Sequence, residues 1–488
     1  MKLFPVRGGI HPDYRKSLSS NEAIVVMPMP RRLVLPLQQH IGAPAEVLVA
    51  AGEQVRKGQL LARGQGPVSA PLHAPTSGVI EAISQIPAPH PSGLPQTAIV
   101  LLPDGLDAWA PLPAPLADPF EAPPEAIREH VAQAGIVGMG GAAFPAAVKL
   151  GLGGQHRIDT LLINGAECEP YLTCDDRVMR EHADDVVDGA RLMARALDAP
   201  CVIIAIEANK PEAIDSISHA AAKFAEVQVV AVPVQYPMGS ERHLVQAITG
   251  RETPARRLTA DIGVVVHNPG TARAVHEAVR HGRPLTHRVV TVSGGAVRHP
   301  RNVDVALGTP VADLLAFCGG LTGMEEQLVQ GGPMMGQPLP SLDVPVVKGT
   351  SGILALTAEE VAEQPASPCI RCGSCVSVCP CGLVPVELAA YIRKDRLEDA
   401  AKLGVQDCLS CGSCAWVCPS HIPLVQYFNY AKGRLNADAA VQRKNDRTRT
   451  LAEARTLRLE KAEAAKRAAA AVRQAAATAN AATGDINA

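Results

Sequence analysis

The chain has 488 residues, enough for several domains, and its 46 basic and 48 acidic side chains nearly cancel. This balance argues against a protein held to nucleic acid by a general basic field, and an aromatic content of 3% disfavours a base-stacking platform. The longest apolar runs, such as 201–206, are far shorter than the ~20 residues of a membrane helix, and residues 1–5 lack a signal-peptide pattern. We therefore expect no membrane span and no disulfide framework.

The amino-terminal part predicts an arm followed by a small β domain. Residues 1–30 have no clear hydrophobic period, whereas residues 31–102 alternate short strand patterns with Gly and Pro turns. The segments beginning at Gly52 and at His73 resemble hairpins of biotinyl- or lipoyl-like barrel-sandwich domains. The corresponding hairpin tip at 65–69 has no lysine that could carry a swinging cofactor. We therefore expect this domain to contact neighbouring parts rather than transfer groups.

A linker rich in Pro and Ala, residues 103–124, precedes a change of pattern. Over residues 125–285, apolar strand candidates alternate with helix candidates, which predicts a parallel sheet covered on both faces. The predicted strands are Thr160–Ile163, Cys201–Ala205, Val227–Ala231 and Ile262–Val266, and the predicted helices include Asp184–Leu197 and Pro211–Phe224.

A glycine-rich loop opens this α/β region. Residues Gly138–Ala143 contain a G-x-G-x-x-A match, and a helix pattern with Lys149 follows. Such a loop can present backbone N–H groups to phosphate, but a lone match also fits a turn that lets a helix pack closely. Asn164, Glu167 and Glu169 follow the carboxyl end of a predicted strand, where α/β folds bind ligands. Together these residues favour a nucleotide site.

Two copies of the pattern C-x2-C-x2-C-x3-C-P lie between residues 369 and 419. This is the ligand pattern of a [4Fe–4S] cluster, whereas zinc sites usually have separate C-x2-C pairs. In two-cluster proteins the fourth Cys of each run usually ligates the other cluster. We therefore expect one cluster on Cys369, Cys372, Cys375 and Cys418, and a second on Cys408, Cys411, Cys414 and Cys379.

The other cysteines are interpreted as non-ligating: Cys381, close to the first run, and the scattered Cys168, Cys174, Cys201 and Cys318. Between the two runs, 386–403 has helical periodicity, which predicts a helical ferredoxin-type domain. Residues 437–488 are rich in Ala, Arg, Lys and Glu without a strong apolar stripe. They predict a solvated helix grading into disorder, with contact to anionic lipid as the alternative.

Four segments carry a resemblance to the NADH-oxidising flavoprotein subunit of respiratory complex I. The loop 138–145 resembles its "GRGGAGFPTGLKW", and the segment around Asn164 resembles its "CNxDEGEP". Segments 238–245 and 266–271 resemble its "CGEETALL" and "VNNVET". With the barrel-sandwich pattern before them and the two cysteine runs after them, their order is similar to the C subunit of Rnf-type (Rsx-type) ion-translocating electron transport complexes, over about residues 1–435.

The resemblance implies an FMN bound by the glycine loop, with NADH stacked on its ring system. In this resemblance the flavin and its phosphate are held by Gly138, Gly140, Gly141 and Lys149, and the flavin also accepts hydrogen bonds from Asn164 and Asn268. Near the nicotinamide or ribose of NADH lie Glu167, Glu169 and Glu241, and Phe144 stacks on a ring. The sequence departs from the family segments at Ala143, Ser240 and His267, which replace Gly, Glu and Asn. The NADH contacts are therefore less closely matched than the FMN contacts.

The implied function is that of a peripheral electron-transfer subunit at the cytoplasmic face of a bacterial inner membrane. Electrons would pass between NADH, FMN, two [4Fe–4S] clusters and other subunits of the complex, integral and peripheral, with ferredoxin or another iron–sulfur protein as a possible partner. The alternatives are a flavin–iron–sulfur subunit of a soluble NAD-linked hydrogenase or formate dehydrogenase, and a non-catalytic iron–sulfur relay or scaffold.

The implied fold is multidomain α/β and α+β. Its parts are a barrel-sandwich hybrid (31–102), a Rossmann-like flavin/NADH domain (125–285), a soluble-ligand-binding β-grasp domain (286–350), a helical two-cluster ferredoxin domain (365–432) and a helical or disordered tail (437–488). The β-grasp assignment rests on a strand from His287, a helix after Gly308 and a glycine-rich return near Gln330, which resemble the domain that follows the flavin fold in complex I.

Overall fold

The computed structural model describes residues 3–89, 92–362 and 364–484. Its contacts divide the chain into two compact units, each of which is interrupted in sequence. The first comprises Met1–Glu387 and Asp407–Val425, and the second comprises Leu388–Gln406 and Gln426–Ala488. All of the described sheets and both cysteine runs belong to the first unit.

The amino-terminal strands build two small antiparallel sheets, in the strand orders β2-β8-β7-β4 and β3-β5-β6. Their bounds, with that of the separate strand β1, are β1 Val25–Val26, β2 Leu33–Pro36, β3 Glu46–Val47, β4 Gln54–Val55, β5 Leu60–Arg63, β6 Leu72–His73, β7 Gly78–Pro87 and β8 Pro95–Pro103. Leu33, Leu61, Ile80 and Leu101 are fully buried between them. Apolar side chains of short strands thus form this core.

A four-stranded parallel sheet in the order β11-β10-β9-β12 follows. The elements of this region are α1 Pro124–Gln133, α2 Ala146–Leu150, β9 Thr160–Gly165, α3 Cys174–Glu181, α4 Ala183–Leu197, β10 Cys201–Glu207, α5 Pro211–Ala221, β11 Val227–Val232, α6 Glu241–Thr249, β12 Val264–His267 and α7 Pro269–His281, with 3-10 turns at Gly151–Gly154 and Thr259–Ile262. Leu161 and Ile163 of β9 pack in one apolar cluster and Leu162 in another. The prediction of a parallel sheet covered on both faces is confirmed.

The fourth predicted strand begins later than expected. Residues 259–262 form a 3-10 turn, and Gly263 has a φ of 79°, so the strand starts only at Val264. The other three predicted strands and both predicted helices are present, with ends that differ by up to three residues.

Helices α4 and α7 pack closely against each other near the start of α7. A Cβ added to Gly189 of α4 would overlap the carbonyl of Ala272 on α7. Next to it, the carboxylate of Asp188 accepts hydrogen bonds from Arg280 at 2.8 and 2.9 Å and from His276 at 2.7 Å. The glycine and this ionic cluster together hold the two helices against each other.

We expect Gly189→Ala to lower the free energy of unfolding by about 3 kcal/mol, because the helices must separate to admit the methyl group. Gly151→Ala is the matched control, since nothing lies within 4 Å of the corresponding Cβ position and the φ of Gly151 is −71°. Urea unfolding of both variants measures the difference. Equal stabilities would show that α4 and α7 are not held at this contact.

The third sheet has six strands in the order β1-β14-β13-β17-β15-β16. Its remaining elements are β13 His287–Ser293, β14 Arg301–Ala306, α8 Val311–Phe317, β15 Glu325–Gln330, β16 Gln337–Pro338, β17 Gly352–Thr357 and α9 Ala358–Val361. Strand β1 comes from the amino-terminal arm and runs parallel to β14. Two residues are too few to show a period, so this strand could not be predicted from its residues.

The amino-terminal arm also contacts the loop after β9. Its 3-10 turn, Lys16–Leu18, begins with a lysine whose ammonium donates to the carbonyls of Glu167, Glu169 and Leu172 at 2.7, 3.0 and 2.7 Å. Closer to the amino terminus, the backbone N–H of Gly9 donates to the carbonyl of Val378 at 2.9 Å. The arm thus joins the β9 loop to the first cysteine run.

The rest of the chain is helical. Its elements are α10 Ser374–Ser377, α11 Pro385–Ile392, α12 Leu397–Lys402, a 3-10 turn Val405–Asp407, α13 Ser413–Trp416 and α14 Leu424–Gly484. The helical segment predicted over 386–403 is present as two helices, because Asp395 has a φ of 56° and separates α11 from α12. In α14 the described side chains from 440 to 479 are exposed, as predicted for a solvated tail helix. Among the described residues, no helix has a stretch long and apolar enough to cross a membrane.

Candidate functional site

The glycine loop lies at the carboxyl edge of the parallel sheet, against the start of α7. The backbone N–H of Met139 donates to the Thr271 hydroxyl at 2.9 Å. A Cβ on Gly140 would lie 3.5 Å from the Cβ of Asn268, the residue that precedes α7. The fold therefore brings the loop to the strand ends, where ligands of α/β proteins bind.

One side of this loop is open. The loop closes on itself where the N–H of Gly138 donates to the carbonyl of Phe144 at 2.8 Å. At its tip, Gly141 has a φ of 108°, and nothing lies within 4 Å of the position that its Cβ would occupy. Ala143 also has a positive φ, 48°, although it carries a methyl group. The tip leaves room for a ligand to approach the backbone.

The other side of the loop is held by two buried basic side chains that the sequence did not predict. Arg288 of β13 donates to the carbonyl of Met139 at 2.8 Å and to that of Thr350. Lys348 donates to the carbonyls of Gly135 and Pro71 at 2.7 and 2.6 Å. The only sequence signal for Lys348 is its position as a lone charge after an apolar segment. These bonds fix the loop from the third sheet.

Burial lowers the pKa of Lys348 from its ordinary 10.5 to about 7. Between these values the unfolded chain keeps a proton that the folded chain has lost, so stability rises with pH from about 7 to 10.5. We expect Lys348→Met to reduce this slope by up to about 1.4 kcal/mol per pH unit. Urea unfolding between neutral and alkaline pH measures it. The exposed Lys223→Met is the control, and an unchanged slope in Lys348→Met would contradict the assignment.

Lys149 and Glu241 form an ion pair at the same edge. The ammonium of Lys149 donates to the Val266 carbonyl at 2.7 Å and to the Glu241 carboxylate at 3.0 Å. Glu241 also accepts from the Thr259 hydroxyl at 2.6 Å. Both side chains remain partly exposed, at 24% and 41%. Each can therefore reach a bound molecule while its position is set by the sheet.

Asn164 and Asn268 are oriented by hydrogen bonds at the strand ends. The amide of Asn164 donates to the Gly239 carbonyl at 2.8 Å. The amide oxygen of Asn268 caps α7 by accepting from Gly270 N–H at 2.8 Å, and its nitrogen donates to Asp175 at 2.6 Å. The two predicted amides thus lie at the ends of β9 and β12, respectively.

The two predicted glutamates of the β9 loop point to different neighbours. Glu167, with a φ of 46°, accepts from the backbone N–H groups of Asp175 and Asp176 at 2.7 and 3.3 Å. Glu169 accepts from Met334 N–H at 3.0 Å, and its second carboxylate oxygen is buried without a partner among the described residues. Burial raises the pKa of Glu169 to about 7. Glu169 therefore lies against the third sheet's glycine-rich return.

Asp175 is a further residue of the site that the sequence did not predict. Its carboxylate lies within 4.8 Å of ligand-type atoms of Glu167 and Cys174. Burial, followed by the charge of Glu167, raises the pKa of Asp175. The sequence does contain one indication of this residue: Asp175 and Asp176 form an acidic pair shortly after Thr173, at the start of a helix.

The remaining predicted residues have supporting positions. Phe144 is half-buried and closes the glycine loop through its carbonyl. Ser240 precedes α6 without a side-chain capping bond. His267 is buried, its Nε2 has no partner among the described residues, and burial lowers its pKa well below the ordinary value. A neutral imidazole thus stands where the family segment has Asn.

The thiols of the two cysteine runs lie close enough to raise one another's pKa. Burial raises the pKa of Cys375, and neighbouring Cys372 and Cys418 raise it further. Burial likewise raises the pKa of Cys414, with further contributions from Cys408, Cys411, Cys379 and then Cys375. In the part of the chain that the structure describes, no three of these thiols lie within 4.8 Å of one another. The neighbours of Cys414 include members of both predicted ligand groups, so the assignment of each thiol to one of two clusters stays a prediction.

Four family models match consecutive segments of the chain, in the order that the sequence predicts for its domains. Models described as "RnfC Barrel sandwich hybrid domain", "Nuo51 FMN-binding domain", "SLBB domain" and "4Fe-4S dicluster domain" match residues 4–106, 131–277, 289–338 and 361–422. The C subunit of the ion-translocating oxidoreductase complex of Rhodobacter capsulatus is 57% identical over 437 residues, which are 89% of this chain and 84% of the relative. The chain belongs to this family of Rnf-type C subunits.

A second Rnf-type C subunit, from Pseudomonas aeruginosa, is 46% identical over 464 residues, which are 95% of this chain and 59% of the relative. Among solved structures, an NAD+-reducing [NiFe]-hydrogenase in the H2-reduced state is similar to this chain, with a TM-score of 0.46 and 19% identity over 68% of each chain. The resemblance to Rnf-type C subunits is confirmed. The chain is an electron-transfer subunit of an ion-translocating oxidoreductase, with an FMN-binding and an iron–sulfur domain.

Proposed function

We propose that this Rnf-type C subunit oxidises NADH at an FMN bound on the glycine loop and passes the electrons singly through two [4Fe–4S] clusters to partner subunits. The observation that carries the proposal is the open tip of the loop at Gly141, which lies at the carboxyl edge of the parallel sheet. A side chain there would fill the space that a flavin needs. FMN accepts two electrons as a hydride and gives them up one at a time.

The residues of the loop fit a flavin phosphate. Gly138, Gly140 and Gly141 let the backbone approach, and the Lys149 ammonium, held by Val266 and Glu241, supplies a fixed positive charge. Asn164 and Asn268, oriented by their own hydrogen bonds, would hold the flavin ring. These groups would bind and orient the cofactor.

The carboxylates and the ring of Phe144 would define the NADH side. Glu241 is the most accessible of the three glutamates, because its side chain is 41% exposed, whereas both Glu167 and Glu169 are engaged by backbone N–H groups. We therefore assign the direct contact with NADH ribose or nicotinamide to Glu241. Glu167 and Glu169 would shape the wall of the site.

The wider assignments follow from the family. We assign a barrel-sandwich domain to 31–102, a Rossmann-like flavin domain to 125–285, a β-grasp domain to 286–350 and a two-cluster ferredoxin domain to 365–432. The relatives are named as subunits of a complex, so partner subunits would take the electrons. We place the chain as a peripheral subunit on the cytoplasmic face of the membrane, with ferredoxin or another iron–sulfur protein as a further electron partner.

Anaerobic purification followed by an NADH titration tests the proposal. The expected result is one extractable FMN per chain and optical bleaching of both the flavin and the iron–sulfur absorption on addition of NADH. Glu241→Gln should raise the KM for NADH, measured on protein loaded fully with FMN because Glu241 also holds the Lys149 ammonium. Clusters without flavin, or a flavin that NADH does not reduce, would overturn the NADH proposal and favour a relay.

A further inference from the structure

A cavity of about 320 Å³ lies where the amino-terminal β domain, helix α7 and the third sheet meet. Lys57 and Trp109 line it from the amino-terminal side, Arg273 and Glu277 from α7, and His287 from β13. The described residues that line it include none of those that the sequence places around FMN or NADH. The cavity is therefore separate from the open tip of the glycine loop.

The walls of this cavity carry charges of both signs. The basic lining side chains are Lys57, Arg273, Arg283 and Arg288, and the acidic ones are Asp175, Glu277 and Asp304. Most of the basic groups have a fixed partner. Lys57 donates to Asp107 at 2.7 Å, and Arg283 donates to Glu277 at 3.1 Å. Arg288 donates to two backbone carbonyls. A cavity lined in this way suits a polar molecule rather than an apolar one.

Arg273 is the exception among these basic groups. Its Nε is buried and has no hydrogen-bond partner among the described residues, and the carboxylate of Asp185 lies 4.0 Å from it. A buried donor without a partner is unfavourable unless water or a ligand satisfies it. The side chain is 24% exposed, so the planar guanidinium can bind two oxygens of an anion through parallel hydrogen bonds.

The third sheet lines the cavity with hydrogen-bond acceptors. Asp304 of β14 pairs with Val289, two residues after His287, so the side chains of Asp304 and His287 lie on one face of the sheet. Burial lowers the pKa of His287, and the charges of Asp304 and Lys57 also act on its imidazole. A carboxylate and a neutral imidazole accept hydrogen bonds from hydroxyl groups. This wall therefore fits the hydroxyl side of a ligand, and Arg273 fits its anionic side.

We propose that the cavity binds a phosphorylated sugar, free or as part of a nucleoside monophosphate, with its phosphate on Arg273 and its hydroxyl groups on Asp304. The four basic lining side chains outnumber the three acidic ones, and a phosphate ester carries about 1.5 to 2 negative charges near pH 7. The volume is at the lower end of the roughly 300–1,000 Å³ of small-molecule sites. It admits one phosphorylated sugar or mononucleotide but is small for a dinucleotide such as NADH.

Isothermal titration calorimetry of the holoprotein with ribose 5-phosphate, AMP, inorganic phosphate and ribose tests this site. Saturating NAD+ is present throughout, so that AMP does not enter the proposed NADH site. Ribose 5-phosphate and AMP should each bind one per chain, inorganic phosphate more weakly, and ribose not measurably. An affinity for AMP well above that for ribose 5-phosphate identifies a nucleotide as the ligand, and equal affinities identify a sugar phosphate. Absence of binding by both phosphate esters would overturn the proposal.

Two variants assign the binding to the cavity. Arg273→Gln should weaken the binding of both phosphate esters by at least about tenfold. Arg157→Gln is the matched control, because the Arg157 side chain does not line the cavity and is 94% exposed. Asp304→Asn keeps the size of the side chain and should weaken the two esters while leaving inorganic phosphate unaffected. Urea unfolding shows whether each variant is folded.

Wild-type affinity in a folded Arg273→Gln, or in a folded Asp304→Asn, would overturn the assignment of the corresponding group. Loss of AMP binding in Glu241→Gln but not in Arg273→Gln would place AMP at the NADH site and overturn the proposal as well. None of these outcomes requires NADH to reduce the flavin. The cavity site and the proposed electron transfer can therefore fail separately.

Discussion

Cys379→Ala is expected to abolish the same cluster as Cys414→Ala, although Cys379 belongs to the first cysteine run. The fourth cysteine of each run usually ligates the other cluster. Cys379 is among the thiols that raise the pKa of Cys414, with Cys408, Cys411 and Cys375. Each variant should lose half of the protein's iron and the same EPR signal. Cys418→Ala should instead lose the signal that Cys375→Ala loses.

The control for this experiment is Cys381→Ala. Cys381 lies two residues after Cys379 and is interpreted as non-ligating, so its removal should leave the iron content and both signals intact. If Cys379→Ala and Cys375→Ala lost one signal together, each run would hold its own cluster. Cys379 and Cys418 would then have to be exchanged between the two predicted ligand groups.

Gly141→Leu is expected to weaken FMN binding by at least about tenfold, or ~1.4 kcal/mol. Because nothing lies within 4 Å of the Cβ position, the new side chain meets no protein atom there and extends into the space assigned to the flavin. The positive φ adds a strain of about 1–2 kcal/mol to the folded state. FMN content after purification and the Kd from flavin fluorescence measure the effect.

Gly323→Leu is the control that distinguishes backbone strain from a direct loss of FMN binding. Gly323 has a φ of 81° and is also without neighbours within 4 Å, but it lies in a turn of the third sheet domain. Both variants should lose similar stability in urea, while only Gly141→Leu loses FMN. Equal FMN binding in the two variants would show that the flavin does not cover the tip of the glycine loop.

The sequence predicted those features that depend on residues close together in the chain. The strands of the parallel sheet were found because Leu161–Ile163 and Val264–Val266 are continuously apolar, and they are apolar because both faces of the sheet are covered. The cysteine runs were found because a cluster requires thiolates at fixed short spacings. The break at Asp395 was missed because the spacing of the apolar residues on either side of it is still that of a helix. The positive φ of Asp395 is visible only in the structure.

The supports of the site could not be predicted in this way. Arg288 and Lys348 reach the glycine loop from the third sheet, and Thr271 reaches it from α7, so each contact joins residues more than a hundred positions apart. Their pattern in sequence is that of ordinary surface or strand residues. From the sequence, Glu169 is likewise predicted to face a ligand, whereas in the structure its carboxylate accepts a hydrogen bond from Met334.

The contacts of the amino-terminal arm have a consequence for the time course of folding. Lys16 binds carbonyls at 167–172, and Gly9 binds Val378, so the arm is synthesised long before any of its partners. Such long-range contacts form late, because the intervening chain must first be ordered. The Lys16 bonds can form once residues 167–172 are in place, whereas the Gly9 bond has to wait for the first cysteine run. The arm would therefore be fixed in two steps, first against the β9 loop and later against the first cysteine run.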